Sequence, residues 1–392
     1  MSDFMKKALW QYYAIVLVIF VAVLVWGLSG ILWGGGLMFW RLTYYAIFPC
    51  TAGALGVVLG IKNARYKWLC PFYSGGLSYI ASIVLFRGPV VLLLGASYFV
   101  FPFLAAIIGL GLGMIIWKAR SSTKIKLKKI TIVALMVVGI VAFIHIAHAF
   151  TLDRIIQYTE ISFHSPSLAP ELDGYRMAFI VDIHYMSERR LSGIVDELNQ
   201  QELDLLVLGG DLAMNSAGMR KTVEILSQVE TTDGIFGVEG NHDNYIWLFA
   251  AMEEHGITPL SNSGYYVREG LFIAGVHDLW NRSPNVAEAV ASAQPDDFVL
   301  LISHNPDVSM RQDTAGVDLV LSGHTHGGQV TFFGIWAPYF TFTNNITDYG
   351  RRFRSGWAES RDGTPVFTSR GAGEYFPRVF SRPEVVIVTL SL

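Results

Sequence analysis

The sequence has few charged residues and few cysteines, and both shortages limit what the protein can be. Charged residues make up 16% of the 392 residues, whereas about 25% is usual for a soluble domain. The formal net charge of -3 gives no sign of a surface that binds nucleic acid. The two cysteines, Cys50 and Cys70, lie in apolar stretches of the first half. The second half therefore has no disulfide framework and no thiolate metal site.

Apolar residues make up 52% of the chain and are concentrated in residues 1–150. A helix that crosses a bilayer needs about 20 mostly apolar residues, and five segments meet this requirement. These segments are residues 12–33, 38–61, 68–86, 89–117 and 130–150. We therefore predict an all-α helical membrane domain at residues 1–150, with about five transmembrane helices and the lipid bilayer as its partner.

Basic residues flank alternate ends of these segments. Lys6 and Lys7 precede the first segment, and the loop after the second has Lys62, Arg65 and Lys67. The densest basic cluster follows the fourth segment and consists of Lys118, Arg120, Lys124, Lys126, Lys128 and Lys129. The positive-inside rule places such loops in the cytoplasm. Five crossings then predict a multi-pass protein of the cell membrane, with everything after Phe150 on the extracytoplasmic side.

Residues 151–173 are predicted to be a connector, and residues 174–392 alternate between strand-like and helix-like segments. The predicted strands are residues 177–181, 205–208, 234–238, 265–267, 271–276, 298–302, 317–321, 364–368 and 385–390. The predicted helices are residues 191–201, 219–229 and 246–255. This alternation is typical of an α/β domain, in which helices cover the sheets.

Polar side chains that can bind a metal or move a proton follow five of these strands. They are Asp182 and His184, then Asp211, then Asn241, His242 and Asp243, then His304, and finally His324 and His326. Ligands of α/β sheets gather at the carboxyl ends of strands. Each residue alone could cap a turn or be a buried, hydrogen-bonded histidine, but five such strand ends favour a metal site. Nitrogen and oxygen ligands suit Mn, Fe or Zn.

The order of these motifs resembles that of the calcineurin-like metallophosphoesterases, over roughly residues 174–392. The motifs are Asp182-x-His184, Gly210-Asp211, Gly240-Asn241-His242-Asp243, a lone His304, and Gly323-His324-x-His326. The longer run 323–329, with Ser303-His304-Asn305-Pro306 before it and Ser369-Arg370-Gly371 after it, is similar to the membrane-associated YkuE-like subgroup. The chain departs from the family pattern at Val181 and Tyr185, neither of which is a ligand position.

The resemblance implies a two-sheet αββα sandwich that holds two divalent metal ions. Asp182, His184 and His326 would bind the first ion, and Asn241, His304 and His324 the second. Asp211 would bridge both ions. His242 would stabilise the transition state or protonate the leaving oxygen, and Asp243 would orient His242.

The function that we predict is an integral membrane phosphohydrolase that uses its two-metal site to cleave a phosphate ester. The motifs do not distinguish monoesters, diesters and pyrophosphates. One alternative is a membrane sensor or scaffold whose phosphoesterase-like domain binds a phosphorylated ligand without turnover. Another is transport by the five helices, but the membrane segments have no paired charges to support it. Oligomeric state is not predicted.

An aromatic stretch at residues 332–342 has six aromatic residues among eleven. It could pack beneath the sheet as core, or it could form a lip in the membrane interface, where Trp and Tyr are favoured. In the second case the arginines that follow, Arg351, Arg352 and Arg354, could meet anionic headgroups. The lip predicts a lipid-borne phosphate substrate in the outer leaflet.

The topology can be tested with reporter fusions. Because the basic cluster at 118–129 faces the cytoplasm in this prediction, a reporter fused after residue 160 should report the extracytoplasmic compartment. The same reporter fused after residue 122 is the matched control and should report the cytoplasm. A cytoplasmic signal from both fusions would mean an even number of crossings.

Overall fold

A computed structural model gives the structure of the protein. It describes residues 48–61, 67–85, 103, 105–118, 125–166, 168–338, 340, 346–373 and 377–392. The chain divides into two compact units, Met1–Ala142 and Phe143–Leu392.

The first unit contains apolar helices. Phe48–Ile61 (α1), Leu69–Leu85 (α2) and Ala105–Lys118 (α3) belong to it, and Ile125–Phe150 (α4) begins in it and ends in the second unit. Helices α1 and α3 approach through glycines, because a β-carbon on Gly60 would lie only 2.7 Å from the carbonyl oxygen of Leu110. Small residues at such contacts are typical of helices that pack in membranes.

The described residues cover only part of the predicted five-helix membrane domain. The predicted span 12–33 lies outside them, as do parts of the spans 38–61 and 89–117. Among the described helices, the segment Val137–Arg154 is long and apolar enough to cross a membrane, whereas Ala52–Ile61 and Ala105–Lys118 are shorter. The five-helix domain therefore stays a prediction.

The second unit has two six-stranded sheets. In chain order the strands are Gln157–His164 (β1), Arg176–Ile180 (β2), Leu205–Leu208 (β3), Ile235–Gly237 (β4), Thr258–Pro259 (β5), Ser263–Arg268 (β6), Leu271–Gly275 (β7), Phe298–Ile302 (β8), Leu319–Ser322 (β9), Gly356–Glu359 (β10), Pro365–Thr368 (β11) and Glu384–Ser391 (β12). The first sheet has the order β1-β12-β2-β3-β4-β5, and the second has the order β10-β11-β9-β8-β7-β6.

Helices cover the outer faces of both sheets. They are Glu188–Leu198 (α5), Ser216–Leu226 (α6), Tyr245–Glu254 (α7), Val286–Ala289 (α8) and Val308–Arg311 (α9). Alternate residues of β2 face opposite sides, so Phe179 packs between the sheets while Ala178 and Ile180 pack with the residues of α5 and α6. A third cluster joins β7 and β8 to α8 and α9. The predicted α/β domain with two sheets is confirmed.

The segment predicted as a connector, residues 151–173, differs from the prediction because it contains β1. This strand runs parallel to β12, with Gln157 opposite Glu384 and His164 opposite Ser391. It lies at the edge of the sheet, and its side chains are at most half-buried. An edge strand of this kind has a weak hydrophobic signature, which explains why the sequence pattern did not reveal it.

Candidate metal centre

The seven predicted metal ligands follow strands whose carboxyl ends meet at one edge of the domain. Strands β2, β3 and β4 are parallel neighbours in the first sheet, and β8 and β9 are parallel neighbours in the second. The ligands are Asp182, His184, Asp211, Asn241, His304, His324 and His326. The structure brings all seven together.

Five of the seven have a left-handed backbone, which residues with a side chain rarely adopt. The φ angles are 55° for Asp182, 49° for His184, 54° for Asp211, 69° for His324 and 50° for His326. Each such residue costs about 1–3 kcal/mol and persists only where its surroundings fix it. The change from extended to left-handed backbone bends the chain at the strand ends, where the candidate ligands converge.

Glycines allow the two aspartates to be packed tightly. A β-carbon on Gly240 would lie 2.3 Å from Oδ1 of Asp211. A β-carbon on Gly371, whose own φ is 75°, would lie 2.5 Å from the Cβ of Asp182. Because neither contact is sterically possible, both positions require glycine.

The ligands form two overlapping groups. In the first, Nε2 of His184 lies 3.0 Å from Nε2 of His326, and Oδ1 of Asp182 lies 3.4 Å from the latter atom. In the second, Nε2 of His304 lies 3.4 Å from Oδ2 of Asp211. Asp182 belongs to both, since its Oδ1 is also 4.0 Å from Nε2 of His304.

Asn241 and His324 extend the second group. The side-chain oxygen of Asn241 and Nδ1 of His324 each lie 3.2 Å from Nε2 of His304. Asp211 stands between the two groups, because its Oδ2 is 3.6 Å from Nε2 of His184 as well as 3.4 Å from that of His304. This is the position that a bridging carboxylate requires.

The donors fit divalent cations. Oδ1 of Asp182 is buried and has no hydrogen-bond partner in the described part of the chain, an arrangement that is costly unless a cation satisfies the oxygen. Burial raises the pKa of Asp182, but the imidazoles of His326 and His304 outweigh burial and hold that pKa below its usual range. Burial lowers the pKa of His184 and of His324 to about 3, whereas the neighbouring carboxylates outweigh burial and raise the pKa of His304. Ionised carboxylates and neutral imidazoles are the forms that metals bind.

Backbone and side-chain oxygens orient three of the imidazoles, because each accepts a hydrogen bond from one ring nitrogen. Nδ1–H of His304 donates to the carbonyl of Gly209 at 2.9 Å, and Nε2–H of His324 donates to that of Ile346 at 3.0 Å. Nδ1–H of His326 donates to Oε1 of Gln329 at 3.0 Å. Such bonds fix the tautomer that leaves the other nitrogen free for a metal. The sequence analysis assigned none of these partners. Those of His304 and His324 depend on the tertiary fold, whereas Gln329 is only three residues from His326.

His242 and Asp243 occupy different environments. The side chain of His242 is exposed, and its ring centroid lies 5.4 Å from that of His184. The carboxylate of Asp243 instead accepts N–H groups from the backbone of Asp211, Gly240 and Leu212 at 2.7, 2.9 and 3.1 Å. Within the described residues it makes no hydrogen bond to the His242 ring. Asp243 therefore joins the ends of β3 and β4, and its role in orienting His242 stays a prediction.

The sequence analysis overlooked one strand end. Strand β7 is followed by Val276-His277-Asp278, the same sequence of apolar strand and polar tip that identified the other five. Nδ1–H of His277 donates to Oε1 of Glu239 at 2.6 Å. Further along this loop, the ring of Trp280 packs edge-on against that of His324, with 4.5 Å between centroids. The loop thus forms one wall of the centre.

Comparison with known proteins agrees with this geometry. A family profile described as "Calcineurin-like phosphoesterase" matches residues 175–328. An uncharacterized metallophosphoesterase of Aquifex aeolicus is 30% identical over 217 residues, which cover 52% of this chain and 79% of that protein. The chain belongs to the calcineurin-like metallophosphoesterases. This family acts on phosphate esters, as its name states, and the predicted resemblance is confirmed.

Two further relatives of this metallophosphoesterase have informative names. The uncharacterized metallophosphoesterase YkuE of Bacillus subtilis is 26% identical over 255 residues, which cover 60% of this chain and 86% of that protein. A "Transmembrane protein with metallophosphoesterase domain" of Danio rerio is 26% identical over 290 residues, which cover 66% of this chain and 62% of that protein. The chain spans 52% of the length of a Helicobacter pylori relative and 60% of a Campylobacter jejuni one.

The bridging position of Asp211 can be tested by replacing it with asparagine. Asp211→Asn removes a charge that faces both ligand groups, so metal content and most of the phosphoesterase activity should be lost while the fold persists. Metal analysis and circular dichroism would measure these effects. Asp318→Asn is the control, because Asp318 precedes β9 at the opposite edge and its side chain accepts the N–H of Val299. Full metal content and normal turnover in Asp211→Asn would contradict the site.

A substitution can also test whether His242 acts as a general acid and not as a metal ligand. His242→Ala should keep its metals and lower kcat by about 10²–10⁴, as for other general acids. The loss should be smaller for esters whose leaving group needs no proton. His164→Ala, which removes an exposed histidine at the end of β1, should leave kcat unchanged. Loss of metal from His242→Ala would instead make His242 a ligand.

Proposed function

We propose that the protein is an integral membrane phosphohydrolase that holds two divalent cations and hydrolyses a phosphate ester. The observation that carries the proposal is the position of Oδ2 of Asp211, within 3.6 Å of an imidazole nitrogen from each ligand group. Manganese, iron and zinc all suit this set of nitrogen and oxygen donors.

The residues have distinct tasks in this proposal. Asp182, His184 and His326 would hold one cation, Asn241, His304 and His324 would hold the other, and Asp211 would be shared by both. Bound cations would neutralise the phosphoryl oxygens and make water a stronger nucleophile at neutral pH. The exposed ring of His242 donates a proton to the leaving oxygen. Asp243 keeps the loop that carries Asn241 and His242 against the end of β3.

Membrane attachment is supported by the helix that leads into the metallophosphoesterase unit. The segment Val137–Arg154 has the length and composition of a membrane span. The printed name of the Danio rerio relative also describes a transmembrane protein. We extend this attachment to the predicted multi-pass topology, with the metal centre on the extracytoplasmic side.

The aromatic stretch after the histidine motif is divided between core and surface. Phe340 and Ala337 are buried and pack against Gly328. Phe332 and Ile335 are 48% and 79% exposed, although the ring of Phe332 also stacks on His145, near the end of α4, at 4.9 Å. Tyr339 and residues 341–342 lie outside the described residues. The predicted lip thus reduces to residues 332–335, which we call the apolar lip.

The apolar lip supports a lipid-borne substrate. It starts six residues after His326, and it packs against the end of an apolar helix. Ile146 and Phe150 of that helix are also exposed apolar residues. We therefore propose a lipid- or envelope-linked phosphate as the substrate class. The arginines contribute less than predicted, because Arg352 and Arg354 donate to the backbone carbonyls of Glu359 and Ile335.

Metal analysis of the purified full chain, combined with turnover of a panel of phosphate esters, tests the proposed function. We expect two equivalents of Mn, Fe or Zn, and activity that is lost on chelation and restored by the same metal. A metal-loaded protein that binds the phosphorylated compounds but turns over none of them would favour the sensor or scaffold instead.

The apolar lip can be tested by replacing its exposed side chains with serine. The triple variant Phe332→Ser, Phe333→Ser, Ile335→Ser should turn over a phospholipid in vesicles much more slowly than wild type, yet retain its turnover of a soluble aryl phosphate. Tyr265→Ser is the control, since Tyr265 is exposed on the distant strand β6. Equal losses on both substrates would mean that the lip supports the fold. No loss on either substrate would exclude a role of the lip in binding a lipid-borne substrate.

A further inference from the structure

A buried carboxylate lies where α4 joins the metallophosphoesterase unit. Asp153 follows the helix by three residues and is 4% exposed. It accepts Nδ1–H of His148, on the last turn of α4, at 2.6 Å. It also accepts the backbone N–H groups of Phe380 and Ser381 at 2.8 and 3.0 Å. Three donors on one buried carboxylate make a strong, well-directed junction.

The same junction reaches a metal ligand. Ser381 is 1% exposed, and its hydroxyl donates to the backbone carbonyl of His326 at 2.7 Å. His326 has a left-handed backbone, as has Gly327 after it. A β-carbon on Gly327 would lie 2.6 Å from Oγ of Ser381, so the histidine loop is packed directly on this serine.

Neighbouring contacts hold the segment around Ser381 against both partners. The ring of Phe380 stacks on that of His148, with 3.9 Å between centroids. On the other side, the backbone N–H of Val379 donates to the carbonyl of Gln329, and the N–H of Thr331 donates to the carbonyl of Val379. The segment 379–381 therefore connects the end of α4 to the loop that carries His326.

We propose that Asp153 and Ser381 are positioning residues. Through them, cation binding at His326 depends on the contact between the end of α4 and the segment 379–381. His326 has to be held in a strained backbone conformation, and the hydroxyl of Ser381 bonds the peptide that carries this strain. Asp153 fixes Ser381 from the other side and joins it to His148. The inference rests on the metal site of the proposed function, but it concerns binding of the ion and not turnover.

A purely structural role is the competing explanation, and the two differ in what they predict for the two ions. A positioning role affects the ion held by Asp182, His184 and His326 and spares the ion held by Asn241, His304 and His324. A structural role lowers the melting temperature and weakens both ions together. Substitution of groups that orient metal ligands typically lowers metal affinity by about 10–100-fold.

The experiment is a titration of full-length protein in detergent with Mn²⁺, followed by the electron paramagnetic resonance signal of the free ion. Ser381→Ala, the smaller change, should weaken one of two Mn²⁺ ions by about 10–100-fold at an unchanged melting temperature. Asp153→Asn should do the same, and His148→Ala should have a smaller effect because Asp153 keeps its two backbone donors. Excess Mn²⁺ should restore the kcat of each variant.

The double variant Ser381→Ala, Asp153→Asn adds a sharper criterion. If both residues act along one path to His326, the second substitution adds little to the first, whereas independent effects would add. The control is Asp233→Asn, because Asp233 accepts bonds from Tyr175 and Arg268 at the opposite edge of the sheet.

Wild-type affinity for both ions in Ser381→Ala and Asp153→Asn would overturn the inference. So would additive losses of Mn²⁺ affinity in the double variant. Equal weakening of both ions together with a lower melting temperature would also overturn it. Wild-type protein that binds two Mn²⁺ ions but hydrolyses no ester would overturn the proposed function and leave this inference standing. Conversely, phosphate-ester hydrolysis by the wild type, together with unchanged Mn²⁺ binding in the variants, would overturn this inference and leave the proposed function standing.

Discussion

The burial of two carboxylates among imidazoles is the constraint on which the metal centre depends. Asp182 and Asp211 are 0% and 1% exposed, and an ionised carboxylate without a partner is very costly in a protein interior. The surrounding histidines only partly compensate, since burial leaves His184 and His324 neutral at pH 7. Cations at this position would provide the missing charge. The left-handed strand ends and the required glycines are consequences of bringing these groups so close.

The rigid sheets beneath the centre make this strain tolerable. All residues of β3, β8 and β9 are buried, and so are Met177–Ile180 of β2. Their apolar side chains form the core between the two sheets and the cores under the helices. The strand ends therefore start from fixed positions, and each ligand needs only a short bend to reach the site.

The strand ends could be predicted because their signal is local. An apolar run of four or five residues followed by Asp, Asn or His is visible in the sequence without knowledge of the fold. The backbone hydrogen bonds of Asp243 could not be predicted, since its three donors come partly from another strand end. The same holds for Asp182, whose contact with His304 exists only because the two sheets meet. The loop after β7 had a readable signal as well, because Val276-His277-Asp278 follows an apolar run directly, but the sequence analysis overlooked it.

Edges and surfaces were the other places where sequence patterns were insufficient. Strand β1 is an edge strand with half-buried side chains, so it resembled a connector. The aromatic stretch has one composition but two environments, because the left-handed residues Phe333 and Gly334 reverse the chain. That turn exposes Ile335, and the chain then returns to bury Ala337 against Gly328. Composition alone cannot distinguish the two sides of such a turn.

The end of α4 belongs to the same compact unit as the metal centre, beginning at Phe143. A helix used only as a tether would need no specific contacts with the domain that follows it. Here His145 packs against Phe332 and Phe333 of the apolar lip, and His148 meets Asp153 at a buried carboxylate. The helix end is therefore part of the fold of the metallophosphoesterase unit. Because segment 379–381 joins the histidine loop to this helix end, and the apolar lip packs on it, the helix end and the candidate metal centre share one continuous set of contacts.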